Sequence, residues 1–339
     1  MTSPAWLDLI PVRHILERDL EARFPLPPGD RPLVIEGSPV GAGDPLLEHL
    51  RDRRIEEIDV HPASGAERPL PGSRWSPVAG RRRRRDADIE GELLTILPGR
   101  KDRWRLVTAD HRDIVPSPLT GDVVEVRPGA EIRVRAAGAA IRGALAAGTA
   151  AHGRLELATD QLGELRPGGI DVSKQGSILV VGARIDAEAL TRARAMGVRG
   201  VVVASLPGKE LRDFQASEKR QRSALHPNQP FGVLALEGAM RRSLPVAVAA
   251  LFERLAGRQV ALLVDPPALA FEDPDVELPP VAPDHVRIRG GVNAGLEGRV
   301  VGLAGLRRYP PGIHLEAAWV TIDGEPPIDV PLGDLERLG

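Results

Sequence analysis

Residues 166–264 alternate between short unbroken apolar runs and amphipathic stretches, and this alternation constrains the fold more than any other feature. Residues 177–181 read as a buried strand. Asp186 then caps a helix carrying Ala189, Leu190, Ala193 and Met196, and Gly197 stops it. Residues 198–204 supply the next strand and 208–223 a helix. Strand 231–236, helix 245–256 and strand 260–264 complete the series. Strand–helix–strand spacing of this kind requires parallel pairing with crossover helices, so the chain is expected to contain an α/β domain with parallel strands.

The flanking regions follow other patterns. Between 89 and 165, segments 93–97, 103–108, 122–127, 131–136 and 154–158 are short strands cut by Gly or Pro-Gly turns, giving a β-rich domain. Upstream, Leu9, Ile10, Val12, Ile15, Leu16 and Leu20 recur at helical spacing. With Ser3 as N-cap and Pro4 at the first helical position, they predict an amphipathic helix over 3–23. Strands at 33–35 and 55–60 and a helix from Asp44 would make 1–60 a small α/β unit. Residues 61–88, rich in Pro, Gly, Ser and Arg, read as a linker that carries the unbroken run Arg81, Arg82, Arg83, Arg84 and Arg85. The domain plan is then 1–60, linker 61–88, 89–165, 166–270, an acidic and Pro-rich linker at 271–284, and 285–339.

Within 285–339, Val286-Arg287-Ile288-Arg289 alternates as a half-buried strand, with both arginines on one face. Gly295 and Gly298 bracket a tight turn, and Asp323-Gly324 between apolar runs is a hairpin signal. Val286-Arg287-Ile288-Arg289, Gly290-Gly291, Asn293 through Gly298, Arg299-Val300-Val301, Glu316 through Ile322 and Val330 through Glu336 together resemble the KOW motif. That resemblance implies a small β-barrel contacting RNA or docking protein. Val115 through Val126 resembles the first hairpin of a lipoyl/biotinyl barrel-sandwich domain. In that family a lysine at a hairpin tip carries the cofactor, but no lysine lies between Lys101 and Lys174, so a carrier role is rejected and no cofactor is expected. Gly182 through Asp186 and Arg194 through Val203 are similar to swivelling β/β/α or protease-associated domains, which imply binding or regulation. Taken in order over 90–338, these segments resemble a group of prokaryotic proteins with a C-terminal KOW-like domain, which supplies an architecture and implies no activity. The expected fold is therefore α+β and multidomain: a barrel-sandwich-like β region, a swivelling-type α/β domain and a C-terminal KOW-like β-barrel.

Composition limits the chemistry. Apolar residues make up 42% of the 339 and aromatics only 3%, so the cores must be built from Val, Leu, Ile and Ala. A formal charge of −2 gives no global pull toward nucleic acid, and any basic site must be local. The absence of cysteine excludes disulfides, thiolate metal sites and a cysteine nucleophile. No run approaches a membrane span and no basic-then-apolar leader opens the chain, so the expected setting is the cytoplasm, with no membrane partner.

Few constellations could carry chemistry. Ligands of open α/β sheets bind beyond the carboxyl ends of strands. That rule gathers Gly182-Ala183-Arg184, the turn from Ser205 to Lys209 and the loop after Leu236. Gly208 and Lys209 at a helix start form a candidate anion site, although the P-loop pattern is not met. The eight histidines lack metal-ligand spacing. Asp110-His111-Arg112-Asp113 is the densest polar cluster and reads as a surface turn. No nucleophile elbow is present, and nothing argues for catalysis. The expectation is a non-enzymatic binding or scaffold protein contacting RNA or an RNA-bound complex. Arg287, Arg289, Arg299, Arg307 and Arg308 would touch phosphates, aided by Arg81–85. Two alternatives stay open: a structural homo-oligomeric or protein-docking module assembling through its N-terminal amphipathic helix and apolar sheet surfaces, and an anion sensor or enzyme near Lys209.

Overall fold

The computed structural model describes residues 5–51, 53–60, 69–75, 91–99, 102–109, 111–222, 229–240, 242–310 and 312–338. The five-arginine run lies outside them, as do Ser3 and Pro4. The chain is strand-rich and divides into two compact units. One is Met1–Leu20, Gly138–Gln221 and Gln229–Gly339, and the other is Glu21–Ala137 with Arg222–Asn228.

The larger unit is built on a ten-stranded mixed sheet. Strands Ala151–Leu157, Ser177–Ile185, Gly200–Ser205 and Gly232–Ala235 run parallel in sequence order. Gln259–Leu263 pairs antiparallel on the other side of Ala151–Leu157. Helix α1 is Ala187–Ala195, α2 is Gly208–Arg222 and α3 is Val246–Leu255. Asp186 caps α1 by accepting the Ala189 N–H at 2.7 Å. Both faces of the sheet are covered at Ser177–Ile185, Gly200–Ser205 and Gly232–Ala235, which explains why these three strands are nearly all apolar, whereas Ala151–Leu157 alternates. Ile178 and Val180 pack with Val248, Leu251 and Phe252 of α3. Leu179 and Val181 face the other way, onto Ala189 and Leu190 of α1 and Phe214 of α2.

The same unit carries a six-stranded sheet ordered Val12–Arg13, Leu335–Leu338, His285–Ile288, Glu297–Tyr309, Ile313–Thr321, Ile328–Pro331. Among the described residues no ladder joins its two edge strands, so of the closed or partly closed barrel that the sequence suggests, the closed form is not adopted. Gly295 takes a φ of +93°, whereas Gly298 is required for space: a Cβ there would sit 2.5 Å from the Thr321 carbonyl oxygen. Asp323 and Gly324 both have positive φ, and the Glu325 N–H closes the turn on Ile322 at 2.8 Å.

The N-terminal segment corrects the sequence reading. Instead of a helix over 3–23, Ala5–Leu9 forms a 3-10 turn and Val12–Arg13, Leu16–Arg18 and Glu21–Pro25 are strands. Pro11 would remove a hydrogen bond from the interior of that helix. Leu7 and Ile10 gain more by closing the core of the six-stranded sheet against Val286, Ile288 and Val320. A docking role for an N-terminal amphipathic helix falls with the helix. The helix expected from Asp44 is likewise a strand, Pro45–Arg51.

The smaller unit consists of three small sheets, of four, three and four strands. Buried Asp30 organises one edge. It accepts the Leu50 N–H at 2.8 Å, meets His49 Nδ1 at 2.8 Å and pairs with Arg53. His111 and Asp113, from the expected polar turn, lie on the strand His111–Pro116, where Asp113 accepts from Arg51 Nε at 2.7 Å. No described helix is long and apolar enough to cross a membrane.

Phe252 is fully buried on α3 while Glu253 beside it is exposed. Phe252→Ala should therefore cost about 3–5 kcal/mol in denaturant unfolding, and Glu253→Ala under about 0.5 kcal/mol.

Candidate functional site

The strand His285–Ile288 is buried from Val286 on, arginine included. Val286 and Ile288 face the core of the six-stranded sheet. By the two-residue period Arg287 must face the other way. That second face is not solvent. It meets Glu237, the residue that follows Leu236 just beyond the carboxyl end of the strand Gly232–Ala235.

Arg287 is only 2% exposed at its side chain, and Glu237 is 3% exposed. A guanidinium taken this far from water is tolerated only when paired and hydrogen-bonded. Its Nη2 meets Glu237 Oε2 at 2.9 Å, and its Nε donates to Glu336 Oε1 at 2.8 Å, with Nη2 also on Glu336. Glu237 in turn holds Arg13, whose Nη1 donates to both carboxylate oxygens at 3.0 and 2.9 Å. Arg242 Nη1 stands 3.9 Å from the same carboxylate, and its Nη2 donates to the Arg289 carbonyl at 2.7 Å. Arg289 Nε lies 3.7 Å from Glu336 Oε2.

These residues line a cavity of about 410 Å³, with Pro11, Val12, Ala144 and Leu236 as its apolar wall. Four guanidinium groups against two carboxylates leave a surplus of two positive charges in the lining. Two donors are also left over. Arg287 Nη1 and Arg242 Nε are buried and meet no acceptor among the described protein atoms. Burial pushes the Glu237 carboxyl up, but Arg287 and Arg13 outweigh it and hold it below the usual carboxylate range. Burial likewise pushes Arg287 down, and Glu237 and Glu336 more than reverse it. Both groups stay charged near neutrality. A positively charged cavity is suited to hold an anion.

A second link fixes the six-stranded sheet beside this cavity. Glu297 accepts the Val246 N–H at the start of α3 at 2.9 Å through Oε1, and meets His285 Nε2 at 2.6 Å through Oε2. A carboxylate at a helix start also opposes the positive end of the helix dipole.

The arginines picked from the sequence divide accordingly. Arg287 is a correction: it is buried in ion pairs and is not presented to a phosphate backbone. Arg289 is half exposed at the cavity rim. Arg299 is exposed but pairs with Asp284 at 2.6 Å. Arg307 lies over Trp319, its Cζ 4.8 Å from the ring centroid, and Arg308 is exposed opposite His314. Gly208 and Lys209 start α2 as expected, yet neither lines the cavity. Beside them Glu210 accepts the Ala187 N–H at 2.8 Å and stands 3.6 Å from Arg184. The loop after Leu236 does belong to the cavity, while Arg13, Arg242 and Glu336 carried no signal of their own. Among the described residues no group of three or more His, Asp or Glu is placed to hold a metal ion. The chain matches no protein-family model, and comparison with curated proteins returned no significant match.

Glu237→Gln should destabilise the protein by about 3–5 kcal/mol at neutral pH, because it leaves Arg287 buried with half its compensation. The lowered Glu237 carboxyl contributes stability that is complete above about pH 4.3 and is lost as pH falls through its folded value. The Gln variant should lack that acid limb when denaturation midpoints are compared between pH 7 and pH 3.

Proposed function

We propose that this chain is a non-enzymatic binding protein whose ligand is a small anion held among Arg13, Arg242, Arg287 and Arg289. The observation that carries this reading is the surplus of two positive charges around an open cavity whose deepest arginine is buried in ion pairs. The site lies beyond the carboxyl end of a parallel strand, where ligands of α/β sheets bind. Part of the wall is apolar, which suits an organic group attached to the anion. Two buried carboxylates hold Arg13 and Arg287 by hydrogen bonds, so little conformational entropy is lost at those two side chains when a ligand arrives.

The test is a melting-temperature screen of small oxyanions at constant ionic strength. A ligand at about one hundred times its Kd stabilises by about 2.7 kcal/mol, which in a unit of this size should raise the Tm by roughly 5–10 °C. Arg289→Gln, at the exposed rim, should keep the unliganded Tm and lose most of that rise. A flat response across the screen contradicts the reading.

A second reading is RNA or protein contact through the C-terminal sheet, in keeping with its resemblance to KOW modules and with a scaffold role. It is favoured by the exposure of Arg289, Arg299 and Arg308 on that sheet. Arg299→Glu with Arg308→Glu should then abolish salt-sensitive binding of short RNA in fluorescence anisotropy, and unchanged binding contradicts it. The swivelling resemblance fits either reading, since that family implies binding or regulation.

A further inference from the structure

Resting on the anion reading, we infer that the cavity selects a dianion of the phosphomonoester class, whether free inorganic phosphate or a small organic phosphate. The lining arginines exceed the lining carboxylates by two, and both carboxylates are spent on them. Glu237 is used by Arg13 and Arg287, and Glu336 by Arg287 and Arg289. Glu237 stays ionised because its neighbours hold it below the usual carboxylate range, so the surplus persists across the pH range in which phosphates titrate. A single bound carboxylate would neutralise half of the surplus. A phosphodiester link of a nucleic-acid backbone also carries one charge. A phosphomonoester carries about −1.5 to −2 near neutrality and offers three acceptor oxygens.

The donors suit that oxygen count. They come from three separate guanidiniums around the opening, Arg13, Arg242 and Arg289, with Arg287 behind them. Donors approaching from several directions match a tetrahedral anion better than the planar fork of one carboxylate, which a single arginine satisfies. Arg242 is held in place by its Nη2 on the Arg289 carbonyl. Pro11, Val12 and Ala144 offer an apolar wall to a short organic substituent, and about 410 Å³ admits a phosphate with a small group attached.

Isothermal titration of the full chain at constant ionic strength decides the matter, with inorganic phosphate, sulfate, phenyl phosphate, dimethyl phosphate and acetate as probes. Phosphate, sulfate and phenyl phosphate should bind at least about tenfold more tightly than dimethyl phosphate and acetate. Lowering the pH from 7.5 to 5 should weaken phenyl phosphate about tenfold, because its second proton returns near pH 6, and should leave sulfate unchanged. Arg289→Gln should weaken all three dianions. Tighter phenyl phosphate than phosphate would identify an organic ligand; equal affinity would identify the free ion. Acetate and dimethyl phosphate binding as tightly as the dianions would overturn the dianion inference and leave the anion reading standing. No binding by any probe would remove both. Dianion binding indifferent to Arg289→Gln would move the site elsewhere and overturn the inference as well.

Discussion

Arg287 sets the terms for the larger unit. Desolvating a guanidinium costs several kcal/mol unless its charge and its N–H groups are met. Glu336 meets it from the neighbouring strand and Glu237 from the end of the parallel sheet, so the burial of one arginine ties the six-stranded sheet to the α/β sheet. The N-terminal strand enters the same arrangement. Val12–Arg13 pairs parallel with the strand Leu335–Leu338, and that pairing places Arg13 on Glu237. Sequence-distant residues 13, 237, 287 and 336 thus form one charged cluster, and Glu297, bonded to the first residue of α3, adds a second tie nearby.

Much of the α/β core was legible because its signals are local. Asp186 is followed by apolar residues at helical spacing, Gly197 ends the helix, and the strands of 177–264 lie within a few residues of where periodicity put them. The N-terminal segment misled for the opposite reason. Leu9, Val12, Leu16 and Leu20 fit a helical period, but Pro11 opposes the helix and a distant sheet offered the better burial. Alternation around Arg287 was read correctly as two faces. What it could not disclose is that both faces are covered, since the covering residue lies fifty positions upstream. The cavity was half legible. Strand-end topology singled out the loop after Leu236, but pairing Glu237 with Arg13 and Arg287 depends on long-range contacts that have no local pattern. Lys209 drew notice as a cation at a helix start, but the carboxylate of Glu210 beside it already serves that neighbourhood.

The charged cluster explains why binding is the best-supported role. A wholly satisfied buried network would serve structure alone. This one leaves two positive charges uncompensated around an open volume. Such an imbalance lowers stability in the unliganded protein, and an arriving anion relieves it. The exposed arginines of the C-terminal sheet are a different case. Arg299 is balanced by Asp284 and Arg307 by the Trp319 ring, so less of their charge is free for a partner.

The most direct measurement is a crystal structure of the full chain soaked in selenate, a tetrahedral dianion whose position is read from anomalous scattering. The account predicts an anomalous peak in the cavity, within hydrogen-bond distance of Arg242 and Arg289, with Arg287 still joined to Glu237. An ordered cavity without a peak, or one filled by a side chain that neutralises the arginines, would contradict it.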